Sequence, residues 1–389
     1  MRVDDKKRFR IRPKYVTNHL QNCLRIAWAA FLLLGQVAVA DVSYFYLGTQ
    51  TDHTGSKGIY RCSIDTDTGR LGPVTLAVEA NNPNFLALSP DDQFLFAALG
   101  KTVGAFKVGP DGAVTPLNEK PSGGDGPCHV SLDKTGRHLF VANYGTGNVA
   151  SFAIGADGLI GTQTASMQFT GSGPDPNRQK KPYAHSIYVN PQNKFVYSCD
   201  LGSDSIWVFN FNPADGTLAP ANPPMAKVPP GNGPRHLAFS PDGNGVYVAS
   251  EMGASVTFFR RDPASGALTS IEAVSTLPSG TSTKGVTTAE ICLHPSGRWL
   301  YVSNRGCDTI SVFAIAPDGR PTLIQSVSSV AKFPRSFAID PTGQWLISAG
   351  QKDNRIAVLK IDQATGRLSP TDQTAAVAAP VCVLFVPHK

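Results

Sequence analysis

The sequence predicts an all-β protein, a seven-bladed β-propeller built from four-stranded antiparallel blades. Two observations predict this fold. Among 389 residues, 37 are Gly and 30 are Pro without a fixed G-X-Y period, so the chain must turn often. In addition, one strand–turn–strand unit recurs at intervals of 44 to 57 residues, which is close to the period of a propeller blade. With 41% hydrophobic and 16% charged residues, the chain can also bury a core.

The first 40 residues are expected to be a secretory signal peptide. They carry eight basic and two acidic residues, then an apolar run at 26–34, then Ala-Val-Ala at 38–40. This order of a charged region, a short apolar region and an A-x-A site is typical of a cleaved leader. We therefore expect cleavage after Ala40, a propeller domain over 41–389, and a periplasmic or secreted enzyme. The alternatives are an uncleaved signal anchor, or a misassigned start codon ahead of a cytoplasmic protein.

The charge of the remaining chain is balanced. Residues 41–389 contain 27 basic and 27 acidic side chains, so the formal net charge of +6 belongs to the leader. A neutral body has no broad basic surface for nucleic acid, and no membrane contact is expected after cleavage. We expect a monomer whose partner is a small molecule.

The six cysteines after the leader are scattered and form no C-x-x-C motif, which excludes zinc-ribbon and thioredoxin-like readings. Most of them lie in apolar strand patterns, so buried free thiols are expected. An oxidising compartment would permit disulfides without requiring them.

Six similar turns organise the body of the chain. Their second residues lie at positions 90, 134, 191, 241, 295 and 341. In turns such as Ser-Pro-Asp-Gly-Asn at 240–244, Pro sets φ and Gly supplies a positive φ, which indicates a hairpin. A third apolar run follows, as at 256–259, and a D-x-x-x-G-x-L turn, as at 262–268, leads to a fourth. Each unit therefore predicts one four-stranded blade.

The seventh unit is divided between the two ends of the chain. Residues 380–386 resemble a first strand without its turn, whereas residues 43–47 and 58–60 resemble a second and a third strand. If these segments pair in one blade, the ring closes and free sheet edges are removed. We therefore predict that N- and C-terminal strands complete the last blade together.

Ionisable residues concentrate at one rim of the predicted ring. A hairpin returns the chain to the face it left, so residues before the first strand and after the second share a rim. Counted from the second turn residue, positions −6, −5 and +10 carry most of these groups in the third to fifth units. They are His185, Arg235, His236, Glu251, Glu290 and Arg305. We expect them to converge at one mouth of the channel, where a cluster of this kind indicates a functional site.

No metal or cofactor is expected at this rim. His236, Glu251 and Glu290 include metal-ligating types, but the neighbouring arginines disfavour a bound cation. The sequence also contains no H-E-x-x-H and no G-x-S-x-G motif.

Several motifs resemble those of the seven-bladed lactonase family, which includes propeller-type 6-phosphogluconolactonases and carboxymuconate cyclase-like proteins. They include Val-Ala-Asn-Tyr-Gly at 141–145, Gly-Pro-Arg-His at 233–236 and Val-Ser-Asn-Arg-Gly at 302–306. The resemblance spans nearly the whole chain after the leader. One departure is Tyr183, where the family often has a second histidine.

The resemblance implies roles for particular residues. Its expected catalytic residues are His185, Arg235, Glu251 and Arg305. Register and motif together add an expected substrate-binding set, which comprises His129, Asn143, Tyr144, His236 and Glu290.

The expected reaction is hydrolysis of a sugar-derived lactone, either 6-phosphogluconolactone or a related aldonolactone. Glu251 or His185 could take the proton from water, and Arg235 or Arg305 could stabilise the oxyanion or a substrate anion. The loop 171–182, which carries three basic residues, either binds anionic substrate or is a solvated loop. The alternatives are a muconate-type lactonising cycloisomerase and a non-catalytic propeller that serves as a binding platform.

Overall fold

The computed structural model describes residues 41–110 and 112–387. Their strands form seven four-stranded antiparallel sheets, which confirms the predicted seven-bladed propeller. The predicted signal peptide and its cleavage site lie outside the described residues, apart from Asp41 on the far side of the cut. In the described part of the chain, no helix is long and apolar enough to cross a membrane.

The strands are given below in chain order. In blades 1 to 6 the first strand of each blade is the innermost, and in blade 7 the innermost strand is the last strand of the chain. Blade 7 contains β1 (Val42–Thr49), β2 (Gly58–Asp65) and β3 (Thr75–Glu79). Blades 1 and 2 contain β4 (Phe85–Leu88), β5 (Phe94–Ala98), β6 (Thr102–Val108), β7 (Val114–Pro121), β8 (Pro127–Leu132), β9 (His138–Asn143), β10 (Asn148–Ile154) and β11 (Ile160–Gln168). Blades 3 and 4 contain β12 (Ala184–Val189), β13 (Phe195–Asp200), a 3-10 helix (Leu201–Ser203), β14 (Ser205–Phe211), β15 (Leu218–Lys227), β16 (Pro234–Phe239), β17 (Gly245–Ser250), β18 (Ser255–Arg261) and β19 (Leu268–Ser275). Blades 5 and 6 contain β20 (Thr287–Leu293), β21 (Trp299–Arg305), β22 (Thr309–Ile315), β23 (Pro321–Ser328), β24 (Pro334–Ile339), β25 (Trp345–Gly350), β26 (Arg355–Ile361) and β27 (Leu368–Ala376). The last strand, β28 (Pro380–Phe385), completes blade 7.

The ring closes in blade 7 as the sequence predicts. Its sheet order is β28-β1-β2-β3, and the antiparallel register places Tyr46 opposite Leu384. Strand β28 also contacts β24 and β4, the innermost strands of its two neighbouring blades. Closure therefore pairs the inner strand of the divided blade and leaves no gap in the ring of inner strands.

The hydrophobic core lies between adjacent blades, where strand side chains from facing sheets interdigitate. Between blades 3 and 4, for example, Phe195, Tyr197 and Phe259 are completely or almost completely buried. Burial of each such side chain contributes about 1.5–3 kcal/mol. The six cysteines of the propeller are free thiols, half of them buried, in agreement with the expectation.

A repeated tyrosine contact joins neighbouring blades. The Tyr197 hydroxyl donates to the Gly266 carbonyl at 2.8 Å, and Tyr301 donates to Gly366 at 2.7 Å. Each acceptor glycine occupies the D-x-x-x-G-x-L turn of the following blade with φ above +70°. That conformation favours Gly, so the turn motif also supplies the contact between blades.

Candidate functional site

A cavity of about 490 Å³ opens at the rim that the register argument identified. It is lined from blades 1 to 6, so most of the ring contributes to one site. The lining residues are Asn84, Gly100, Gly126, Pro127, Cys128, Tyr144, Arg178, His185, Glu251, Arg305, Phe333, Arg335 and Gln351.

β-Bulges at the start of the inner strands direct side chains toward the channel. The pairing of β12 with β13 shifts between Ala184 and Ser186, so His185 is the extra residue. The same shift around residue 235 in β16 and residue 335 in β24 makes Arg235 and Arg335 the extra residues of their strands. A bulge bends the strand and re-aims the inserted side chain, which explains why position −6 carries site residues.

Glu251 is the electrostatic centre of the site. It follows β17, where its backbone N–H donates to the Gly233 carbonyl at 2.7 Å. Its Oε1 accepts a 2.7 Å hydrogen bond from Arg178, and its Oε2 lies 3.0 Å from Arg305 Nη2 and 3.3 Å from Arg235 Nε. Burial alone would raise the pKa of Glu251, but the three arginines outweigh it and lower the pKa to about 2. Glu251 is therefore ionised at neutral pH.

Two of these arginines are fixed by backbone carbonyls of β20. Arg235 Nη1 donates to the Ala289 carbonyl at 2.7 Å, and Arg305 Nη2 donates to the Thr288 carbonyl at 2.9 Å. Both side chains are almost fully buried. Arg178 differs, because it enters from the loop 171–182 and its side chain is 42% exposed. The site thus combines two rigid guanidinium groups with one from a loop.

His185 lies beside this cluster as a neutral imidazole. Its Nε2 is 3.9 Å from Glu251 Oε2, and its ring meets the edge of Tyr144 at a centroid distance of 5.6 Å. Burial, together with the charge of Arg235, holds the pKa of His185 well below 6.5. The ring nitrogens are therefore available as a hydrogen-bond donor and a lone pair at neutral pH.

The expected catalytic residues come together, but four of the five expected substrate-binding residues do not line the cavity. Tyr144 lines it. Asn143 is fully buried and donates to the Ser122 carbonyl, and His129 stacks on Phe85 at 4.1 Å. His236 and Glu290 pair with each other below Arg235. His236 directly follows the bulge at Arg235, whereas Glu290 lies within the register shift of β20 between Thr288 and Ile291.

Blade 6 contributes residues that the sequence-based selection omitted. Arg335 and Phe333 both line the cavity. Phe333 has φ of +59° and lies between two cations, with Lys352 Nζ 4.0 Å and Arg305 Cζ 5.3 Å from its ring centroid. Arg335 shares position −6 with His185 and Arg235, so the register could have found it had the selection extended past the fifth unit. Nothing in the register distinguishes Phe333.

No group of three or more His, Cys, Asp or Glu side chains is placed to hold a metal ion within 41–110 and 112–387.

Comparison with known proteins identifies close structural relatives. The family model described as "Lactonase, 7-bladed beta-propeller" matches residues 44–385. A 6-phosphogluconolactonase of Bacillus subtilis (strain 168) is 33% identical over 347 residues, covering 88% of this chain and 97% of the relative.

Solved structures extend the comparison. A putative 6-phosphogluconolactonase of Bacteroides fragilis superposes with a TM-score of 0.83 at 33% identity, covering 90% of this chain and 99% of that one. A periplasmic gluconolactonase of Pseudomonas aeruginosa superposes with a TM-score of 0.84 at 28% identity, covering 89% and 99%. These relatives therefore share both the fold and nearly its full length.

Proposed function

The chain belongs to the family of seven-bladed β-propeller lactonases, and from this membership we propose that it hydrolyses a sugar-derived lactone in the cavity at the channel mouth. Membership places it among the lactone hydrolases. The observation that supports this site most directly is the buried cluster in which Glu251 contacts three arginines beside a neutral histidine. A lactone is a cyclic ester, and ester hydrolysis needs a base for water and a positive site for the oxyanion.

His185 is the better candidate for the general base. Both carboxylate oxygens of Glu251 are already engaged by guanidinium groups, so neither is free to take a proton from water. His185 is neutral at pH 7, so one ring nitrogen can accept a proton from water. The protonated imidazole is then stabilised by Glu251, whose Oε2 lies 3.9 Å away.

The proposed reaction proceeds in two steps. The water oxygen bonds to the lactone carbonyl carbon while His185 takes its proton, and an arginine stabilises the resulting oxyanion. The ring C–O bond then breaks, and the leaving alkoxide takes the proton from His185. The product is an open-chain hydroxy acid, which ionises and releases one proton to solvent. Arg305 suits the oxyanion role because it lines the cavity and a backbone carbonyl fixes its orientation.

The charge of the site supports an anionic substrate. Arg178, Arg305 and Arg335 line the cavity with Arg235 directly behind them, whereas Glu251 is the carboxylate of the lining. A surplus of guanidinium groups favours a phosphate or carboxylate substituent, which accepts bidentate hydrogen bonds. We therefore place a lactone such as 6-phosphogluconolactone ahead of a neutral aldonolactone.

Acid release in a pH-stat tests this proposal. We expect the protein to open 6-phosphogluconolactone faster than gluconolactone, and His185→Gln to lower the rate by about 10²- to 10⁴-fold. His53→Asn, a change at an exposed histidine outside the cavity lining, is the matched control. Absence of acid release with both lactones would contradict the proposal. Loss of muconate ultraviolet absorbance in that case would identify the cycloisomerase instead.

We also propose that the enzyme is exported after removal of residues 1–40. The basic and apolar order of that segment supports this proposal. Mass spectrometry of the protein from its native host should find Asp41 as the first residue. A mature chain beginning at Met1 would contradict export by this route.

A further inference from the structure

Beneath the cavity floor, a buried carboxylate and a buried imidazole form a pair that the proposed chemistry does not use. His236 Nδ1 lies 2.8 Å from Glu290 Oε1, and the two residues are only 1% and 7% exposed. Neither belongs to the cavity lining. They come from different blades, since His236 is in β16 and Glu290 is in β20.

The contacts determine the tautomer of His236. Arg235 Nη1 lies 3.3 Å from His236 Nε2, and a guanidinium group can only donate hydrogen bonds. Nε2 is therefore the acceptor, and the proton of the neutral ring resides on Nδ1. Burial and the charge of Arg235 hold the pKa of His236 well below 6.5, which keeps the ring neutral. The Nδ1–H then donates to Glu290 Oε1, which also accepts from the Ile291 N–H at 3.1 Å.

The same arginine continues the chain of contacts into the site. Besides His236, Arg235 Nη1 contacts the Ala289 carbonyl at 2.7 Å, and Arg235 Nε lies 3.3 Å from Glu251 Oε2. A continuous path thus runs from Glu290 through His236 and Arg235 to Glu251. Each link constrains the rotation of the next group.

We propose that Glu290 and His236 are positioning residues for the lactone hydrolysis proposed above, holding the Arg235 guanidinium in the orientation in which it contacts Glu251. His236 contacts the guanidinium at Nη1, whereas Glu251 lies nearest Nε. Loss of the acceptor at residue 290 frees His236 to rotate, and His236 then no longer accepts from Arg235.

Stability alone does not account for a carboxylate in this place. Burial raises the pKa of Glu290 to about 7, so folding disfavours its charged form. Replacement of both partners of a buried hydrogen bond by apolar groups of the same shape can be nearly neutral for stability. An apolar side chain at residue 290 would, however, leave the His236 Nδ1–H without an acceptor. The function of the carboxylate is therefore the orientation it imposes on the groups above it.

Three variants test the role of Glu290. Glu290→Leu removes the acceptor and should lower kcat/KM by about 100-fold, the size of effect that small misplacement of a site group produces. Glu290→Gln keeps a carbonyl oxygen for the His236 Nδ1–H and should restore most of that loss. Glu272→Gln, which removes a partly exposed carboxylate paired with Arg320, is the control and should retain full activity. A Leu variant with a lower unfolding temperature but unchanged kcat/KM would show a purely structural role and overturn the proposal.

A double-mutant cycle tests whether the effect passes through Arg235. In an Arg235→Lys background, which lacks the guanidinium fork, Glu290→Leu should change kcat/KM by less than about threefold. An equal loss in both backgrounds would overturn the proposal.

A spectroscopic measurement separates this proposal from the proposed function. In ¹⁵N–¹H spectra of the histidine side chains, His236, assigned by the signals lost in His236→Asn, should carry its proton on Nδ1. A proton on Nε2 would overturn the positioning proposal even if the enzyme is active. Conversely, a wild-type protein that opens no lactone, yet shows the Nδ1–H tautomer, would refute the proposed function while leaving this arrangement of the four groups in place.

Discussion

A single carboxylate, that of Glu251, offsets the positive charge of the arginines in the site. Three guanidinium groups contact it, two of them almost fully buried. Arginines this close repel one another unless a negative charge lies between them. The carboxylate therefore holds the cationic side chains together. The same attraction stabilises the charged form of Glu251 and lowers its pKa to about 2.

Substitution of Glu251 tests this account. Glu251→Gln keeps the shape of the side chain but removes the charge, so the arginines lose their common partner. We expect kcat/KM to fall by about 10²- to 10³-fold, and the free energy of unfolding to fall by up to about 3–5 kcal/mol. Lactone turnover and urea unfolding measure the two effects. Unchanged activity in a folded Glu251→Gln protein would contradict the electrostatic role.

Arg335 presents a different situation, since none of the ion pairs among the described residues includes it. Burial, together with the nearby charges of Arg235 and Arg305, lowers its pKa to about 10, but it remains protonated at neutral pH. A partly buried charge without an ion-pair partner is costly, which suits a group that receives an anion from the substrate.

The corresponding prediction concerns substrate preference. Arg335→Met should raise KM for 6-phosphogluconolactone by about 10- to 100-fold, the loss of one charged hydrogen bond, and leave KM for gluconolactone nearly unchanged. Arg335→Lys should recover part of the affinity. If both substrates lose kcat equally, Arg335 stabilises the oxyanion rather than a remote anionic substituent.

At the scale of elements, loops are fastened to the following blade by residues with a left-handed backbone. Asp204, at the end of the 3-10 helix, has φ of +54°. Its carboxylate accepts from the Gly231 and Gly233 N–H groups at 2.8 Å and from Gln179 Nε2 at 2.7 Å. Asp308, also at φ of +54°, accepts from the Phe333 N–H in the same way. Asp204 thereby links the loop that carries Arg178 to the turn that precedes Arg235.

We predict that Asp204→Ala lowers both stability and activity. Loss of a charged acceptor with several donors costs about 1.5–3 kcal/mol, and Ala also fits the left-handed conformation poorly. Asp204→Asn tolerates that conformation and keeps one acceptor oxygen, so it should lie between Ala and wild type. Thermal unfolding and kcat/KM of the two variants measure this order. An Ala variant with wild-type kcat/KM would show that the two loops are held independently.

At the scale of the whole molecule, three buried histidines from three successive blades meet in the channel. The ring centroid of His236 lies 5.2 Å from that of His185 and 5.3 Å from that of His129. Burial, as the largest cause, holds all three pKa values well below 6.5. The folded protein keeps them neutral, whereas an unfolded chain binds protons on them below about pH 6.5.

This difference predicts the pH dependence of stability. Below about pH 6.5 the unfolded state binds more protons at the histidines, so the free energy of unfolding should fall from pH 7 to pH 5. Glu290 has the opposite effect on the free energy of unfolding, because its pKa is raised to about 7 and the folded protein therefore binds this proton at a higher pH than the unfolded chain does. The three histidines together outweigh this single group. His129→Phe should reduce the slope by about 1.4 kcal/mol per pH unit. Urea unfolding at several pH values measures it, and a slope that is unchanged in His129→Phe would contradict the assignment.

The sequence predicted much of the fold because its signals are local. Alternating apolar residues and turn residues of positive φ are short-range properties, and they are repeated in every blade. The divided blade was also predictable, since residues 43–47 and 380–386 each lacked the strand that the other supplies. The register further placed the candidate catalytic residues at one rim.

Tertiary structure decided which of those polar residues face the cavity and which lie beneath it. A one-residue bulge separates Arg235, which contacts Glu251, from His236, which contacts Glu290, although the two are adjacent in the chain. The partners of Glu251 likewise come from a loop and two blades, and no local pattern specifies such distances. The amino-acid sequence by itself therefore determined the blades, their number and the rim that carries the ionisable groups, because these follow from local periodicity. The protonation states and the division of roles followed only from packing between blades, because burial and charge separation depend on the closed ring.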